Sequence, residues 1–168
     1  MKDNYRLRPW THDDLNDLVS EANNPKIARF LTDQFPHPYT LESGQAFLKM
    51  VMNADPVNVL AIEVEGIASG AIGIHPQKDI FRMNGELGYW LAEKHWGKGI
   101  MTNAIKDMVL YAFKKFDINR IFARPYGNNI GSQRVLEKAG FVFEARFEKT
   151  IIKNGELLDE LVYSIRKK

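Results

Sequence analysis

The sequence predicts a mixed α+β fold: a mostly antiparallel seven-stranded sheet flanked by about four helices, in the order βααβββαβαββ. Three observations carry that expectation. Residues 57–75 hold two strand-like runs joined by Glu65-Gly66, a tight antiparallel turn. Ile100, Met101, Ala104, Ile105, Met108, Val109, Ala112 and Phe113 recur at helical spacing between two further strand-like runs. Such a strand–helix–strand unit is parallel, with a right-handed crossover. Residues 141–165 form two long strand-like runs around Asn154-Gly155, the strongest short hairpin signal. Helices are expected on both faces of the sheet.

The elements follow in order. Residues 5–9 read as a short edge strand closed by Pro9, which cannot donate to a ladder. Thr11 caps a helix from His12, with Asp13 and Asp14 at its positive end and Leu15, Leu18 and Val19 at helical spacing. Asn23-Asn24-Pro25 breaks it, and a second short helix carries residues 27–31. Phe35-Pro36-His37-Pro38 is loop, and Thr40 caps a helix over residues 41–53. Asn84-Gly85 precedes a third strand over residues 86–92. There Glu86, Gly88 and Trp90 share one face and Leu87, Tyr89 and Leu91 the other. Residues 118–123 are a strand, and residues 128–138 a helix ended by Gly140.

At 168 residues the chain fits one domain, residues 1–168, on a scale of about 150 residues per domain. The 45% apolar and 26% charged content is that of an ordinary globular protein. No run of about 18 apolar residues exists to span a membrane, and the charged first ten residues lack the apolar core of a signal peptide. A net charge of +2 gives no sign of a dedicated nucleic-acid binder. The absence of Cys excludes disulfides, thiolate metal sites and a cysteine nucleophile, and fits a reducing, cytoplasmic compartment. None of the four His pairs with another at metal-ligand spacing, and neither GxSxG nor GxxxxGK[ST] occurs. No metal is expected.

Two segments carry chemistry. Trp96-Gly97-Lys98-Gly99-Ile100-Met101 lies between a strand and the best helix pattern. Its glycines let backbone approach a ligand, and the helix N-terminus offers free N–H groups to a phosphate or pyrophosphate. About one GxG arises by chance in a chain of this glycine content, so a tight turn explains the pair equally well. A dinucleotide fold is a poor match, because Thr102 stands where the third glycine belongs. Asn128 and Ser132 stand four apart, one above the other on a helix face, where they can hold a linear polar ligand. A plain N-cap explains that pair as well.

With these residues in place the chain resembles the GNAT superfamily of acyl-CoA N-acyltransferases, and within it the RimJ/RimL-type acetyltransferases. The resemblance also rests on Leu7-Arg8-Pro9-Trp10, Phe35-Pro36-His37-Pro38-Tyr39-Thr40, Glu86-Leu87-Gly88-Tyr89-Trp90-Leu91 and residues 159–164, and it spans nearly the whole chain. It implies a GNAT-like fold and an acetyl-CoA-dependent N-acetyltransferase acting on a primary amine. Trp96, Gly97, Lys98, Gly99, Ile100 and Met101 are then the pyrophosphate loop, with Lys98 adding charge or simply solvated. Leu91 and Asn128 hold the pantetheine arm, and Ser132 lies near the sulfur. Phe35, His37, Tyr39, Glu86 and Asp159 become acceptor-side residues. The superfamily's frequent general-acid Tyr is absent, Leu136 occupying its place, so any acid must be Ser132 or water.

The reaction is attack of a neutral amine on a thioester. Without Cys, direct transfer in a ternary complex is favoured. An α-amine of pKa about 8 is far less protonated at neutral pH than an alkyl amine near 10, and a base helps either. Glu86 is the first candidate base, weighed against a structural carboxylate at a strand end. Asp159 reads first as a structural partner of an Arg, and otherwise as a captor of the acceptor's ammonium. The acceptor is a protein N-terminus or a small amine, and the protein a monomer or homodimer. The alternative function is a non-catalytic acyl-CoA sensor of the same fold, which would need neither Glu86 nor Ser132.

Overall fold

The computed structural model describes residues 4–167, so the first three residues of the charged start lie outside the described residues. Seven strands form one sheet in the order β1-β2-β3-β4-β5-β7-β6. They are β1 (Tyr5–Arg8), β2 (Val59–Val64), β3 (Ile67–Pro76), β4 (Asn84–Leu91), β5 (Arg120–Ala123), β6 (Val142–Lys153) and β7 (Glu156–Arg166). The α-helices are α1 (Leu15–Ala22), α2 (Pro25–Ala28), α3 (Leu41–Met52), α4 (Ile100–Lys115) and α5 (Ile130–Lys138). Strands β1, β2 and β3 pair antiparallel, as do β5, β7 and β6, while β4 and β5 run parallel through Glu86 opposite Phe122. This is the expected mixed sheet, with α4 as the crossover.

The residues form two compact units. One runs through residue 73 and resumes at Tyr89–Ala104; the other is Ile74–Gly88 with the residues from Ile105 onward. The first gathers Trp10, Leu18, Ile27, Tyr39, Leu48, Val51 and Trp90 into a hydrophobic cluster. The second buries Ile74, Ile105, Met108, Ile121 and Leu136 completely. Each such side chain contributes about 1.5–3 kcal/mol of transfer free energy.

Several local expectations are corrected. The second short helix starts two residues earlier than expected, because Pro25 opens it, and it ends at Ala28, with the Asn24 side chain accepting the Lys26 N–H at 2.9 Å. Thr11 is the N-cap, as expected, but of a short 3-10 turn over His12–Asp14 that leads into α1. Its N–H and hydroxyl both donate to the Asp14 carboxylate, at 2.8 and 3.1 Å, and Asp14 also receives both terminal nitrogens of Arg8. Asn84-Gly85 does not precede the third strand but begins it, as the start of β4. A Cβ on Gly85 would meet Ile74 at 2.7 Å and Ile118 at 3.0 Å, so glycine is there to let neighbours close in. Asn154-Gly155 turns as expected, both residues at positive φ (51° and 80°).

Strand β6 ends the sheet. Its pairing with β7 slips register between Phe143 and Ala145 and again between Phe147 and Ile151. Val142 and Ile152 are 68% and 67% exposed there.

Candidate active site

In the first unit, a short 3-10 turn at Glu93–His95 follows β4, and Trp96 folds back over it. The Trp96 indole N–H donates to the Leu91 carbonyl at 2.7 Å. Gly97 and Gly99 then take φ values of +74° and +80°, where side chains with a Cβ are strained, and no atom stands within 4 Å of where either Cβ would be. Residues 96–99 are exposed, whereas Leu91, Ile100 and Met101 are buried. The loop therefore presents backbone outward and anchors itself with apolar side chains. Helix α4 begins at Ile100 with no acidic residue in its first turn, and its ladder starts with the Asn103 N–H on the Gly99 carbonyl at 3.2 Å. The earlier N–H groups of that turn have no partner within the helix. An open glycine cradle leading into an acid-free helix start fits an anionic group such as pyrophosphate. Met101 does not obstruct it, because its side chain points into the protein.

The same unit brings Phe35 and Tyr39 together, ring centroids 5.0 Å apart, with Phe35 also 5.9 Å from Trp90. Tyr39 donates its N–H to the Asn23 side chain at 3.0 Å, and burial pushes its hydroxyl up to about 12. It stays protonated throughout the physiological range. His37 does not join this group; it is exposed.

In the second unit, Glu86 stands on β4 with both carboxylate oxygens occupied. The Arg124 guanidinium donates Nε to Oε1 at 2.8 Å and Nη2 to Oε2 at 3.0 Å. Arg124 also lies 3.7 Å from Glu160, and its own pKa is raised, first by the Glu86 hydrogen bond. Sequence reasoning missed Arg124 and Glu160. Arg124 lies in no motif, Glu160 lies in the 159–164 segment without a role assigned to it, and the sheet order brings the two together.

Asn128 is not on a helix face. It lies in the turn before α5, and Asn129 is the cap, accepting the Ser132 N–H at 3.1 Å. The stacking of Asn128 over Ser132 on one helix therefore fails. Helix α5 starts two residues later than expected, at Ile130, and the plain-cap alternative holds at Asn129. Ser132 sits in the first turn of α5, half-buried.

Asp159 has a structural occupation. It accepts the Lys149 N–H at 2.9 Å and the Arg146 Nε at 2.7 Å, and those two interactions, the amide first, hold its pKa below the ordinary value. Lys149 has a positive φ of 53° inside the second register slip of β6. Asp159 thus pins that slip. Among the described residues no cluster of three or more His, Asp or Glu is arranged to hold a metal ion, and no helix is long and apolar enough to cross a membrane.

The family described as acetyltransferase (GNAT) domain matches residues 4–142. Of curated proteins, "Uncharacterized N-acetyltransferase p20" of Bacillus licheniformis is 31% identical over 96% of this chain and 92% of its own length. "Probable N-acetyltransferase YjcK" of Bacillus subtilis is 46% identical over 47% of this chain. The match spans 44% of YjcK, about half its length. Of solved structures, the ribosomal-protein-S5-alanine acetyltransferase of Vibrio fischeri superposes with a TM-score of 0.81 at 23% identity, covering 99% of this chain and 94% of that one. At that identity the likeness speaks for the fold.

Proposed function

The chain belongs to the acetyltransferase (GNAT) domain family, and from that premise we propose that it moves an acetyl group from acetyl-CoA to a primary amine. Residues 1–168 work as one N-acetyltransferase domain. The observation that carries this reading is the backbone cradle at Gly97 and Gly99, open where side chains would be and leading into the acid-free start of α4. Its N–H groups receive the donor's pyrophosphate, with Lys98 adding long-range charge. The Leu91 backbone and Asn128 hold the pantetheine arm. The Ser132 hydroxyl donates a hydrogen bond to the departing thiolate. With no Cys in the chain, the amine attacks the thioester directly.

The acceptor is a protein N-terminal α-amine or a small amine. Phe35 and Tyr39 offer apolar acceptor contacts, and Glu86 draws the ammonium by charge. Asp159, engaged by Arg146 and the Lys149 amide, serves the acceptor through the shape of the hairpin.

Calorimetry with acetyl-CoA, dephospho-CoA and a Gly99→Glu variant tests the reading. Micromolar binding that disappears in the variant is expected. No binding at millimolar acetyl-CoA overturns it. Donor binding without turnover of any amine would instead favour an acyl-CoA sensor.

A further inference from the structure

The second unit holds a titratable side chain that the reading above leaves idle. His75 lies near the end of β3. The Gln77 N–H donates to the Asn84 carbonyl at 2.9 Å, and the Ala92 N–H to the Ser69 carbonyl at 2.8 Å, so β3 and β4 run antiparallel. Two residues in from the Gln77–Asn84 pair, His75 stands opposite Glu86, and side chains so paired share one face of the sheet. Gly88 comes next on that face of β4. A Cβ there would lie 3.8 Å from the His75 Nε2, with only that ring within 4 Å. The missing side chain leaves a bay walled by the imidazole edge. The residue reaches solvent, and its ring makes no hydrogen bond among the described residues.

Glu86 is poorly placed to take a proton itself, since Arg124 holds both its oxygens. We propose that His75 accepts the proton of the acceptor amine, with Glu86 opposite it stabilising the imidazolium that forms. The proposal rests on the acetyl-transfer reading. The charged groups concerned are Glu86 on β4, with Arg124 and Glu160 behind it. Protein packed around the ring pushes the His75 pKa below its ordinary value, and the Glu86 charge pulls the other way. The imidazole is therefore neutral near pH 7 and has a lone pair to offer, as a general base needs.

The step balances. An N–H bond of the acceptor ammonium breaks and its proton goes to the imidazole. The freed nitrogen lone pair attacks the thioester carbon, the N–C bond forms, and the C–S bond breaks with its electron pair on sulfur. The second amine proton neutralises the thiolate through water, and the imidazolium returns its proton to solvent. An α-ammonium lies only about 1.2–1.5 pKa units above an ordinary imidazole and an alkylammonium about 4, so this base suits an α-amine better.

The test compares native protein, His75→Gln and His75→Ala with a peptide α-amine acceptor, reading kcat across pH and acetyl-CoA affinity by calorimetry. His75→Gln should lower kcat about 100-fold, leave acetyl-CoA affinity within about threefold, and remove the acidic limb of the kcat profile. Added imidazole should restore part of the activity of His75→Ala. A kcat within threefold of native with the limb intact overturns the proposal. Should His75→Gln no longer bind acetyl-CoA, failure of imidazole to rescue His75→Ala overturns it. Native protein that turns over no amine overturns the transfer reading itself, and this proposal with it.

Discussion

The loop at residues 96–101 and the sheet face around Glu86 are built from opposite materials. The loop offers backbone: two glycines at positive φ, exposed amides and a helix start, with its side chains turned inward or into solvent. The sheet face offers side chains: His75 from β3, Glu86 from β4, Arg124 after β5 and Glu160 from β7. A backbone cradle is specified by where side chains are absent. A side-chain constellation is specified by what is present, and it fails when one member changes. The first suits a cosubstrate with a constant phosphate end, the second an acceptor that must be chosen.

That contrast is broken most directly at Gly99. Gly99→Glu puts bulk, charge and a strained φ into the cradle and should weaken acetyl-CoA binding at least about 100-fold by calorimetry. Micromolar binding by this variant would mean that backbone is not what the loop offers. On the other side, Glu86→Gln keeps shape and loses charge. It should lower kcat about 100-fold with donor affinity unchanged, and a matching loss of affinity would blur the division of labour.

A control outside both regions is Asp14. Burial pushes its pKa up, but hydrogen bonds from Arg8 and Thr11 and the Arg8 charge outweigh that, so the folded value lies below the ordinary 3.8. Such a group stabilises the fold above its unfolded pKa, and that contribution is lost as pH falls through the folded value. Native protein should therefore lose melting temperature below about pH 4, and Asp14→Asn should remove ~1–2 kcal/mol at pH 7 and flatten this dependence. Its acetyl-CoA affinity should stay unchanged. Gly97→Ala should weaken donor binding about 10-fold through backbone strain alone. Lys98→Ala is expected to cost threefold or less, roughly, and only at low salt, because that side chain is exposed and screened.

What the sequence disclosed follows the same division. Turns and helix starts obey local chemistry, so Asn154-Gly155, the α4 periodicity and the Gly97–Gly99 loop were legible. The start of β4 was read two residues late because an Asn-Gly pair is unusual within a strand, and only the close approach of Ile74 and Ile118 explains the glycine there. The start of α5 was read two residues early because Asn128 offers the same capping oxygen as Asn129, the actual cap. Nothing in the sequence pairs Arg124 with Glu160 or Glu86. Arg124 meets Glu86 on one side and Glu160 on the other because β5 lies between β4 and β7, a fact of sheet order that no window of sequence contains.

Strand β6 has a further consequence for the molecule in company. Its outer row of amides and carbonyls is a template to which another extended chain could add, and Val142 and Ile152 would welcome it. The two register slips cut that row into short lengths, and Glu148 and Lys149 place charge at the longer break. By pinning Lys149, Asp159 keeps the break open. A carboxylate that reads like part of the chemistry thereby acts as a guard against fibrillar stacking, and Asp159→Ala should betray itself first as turbidity in concentrated solution.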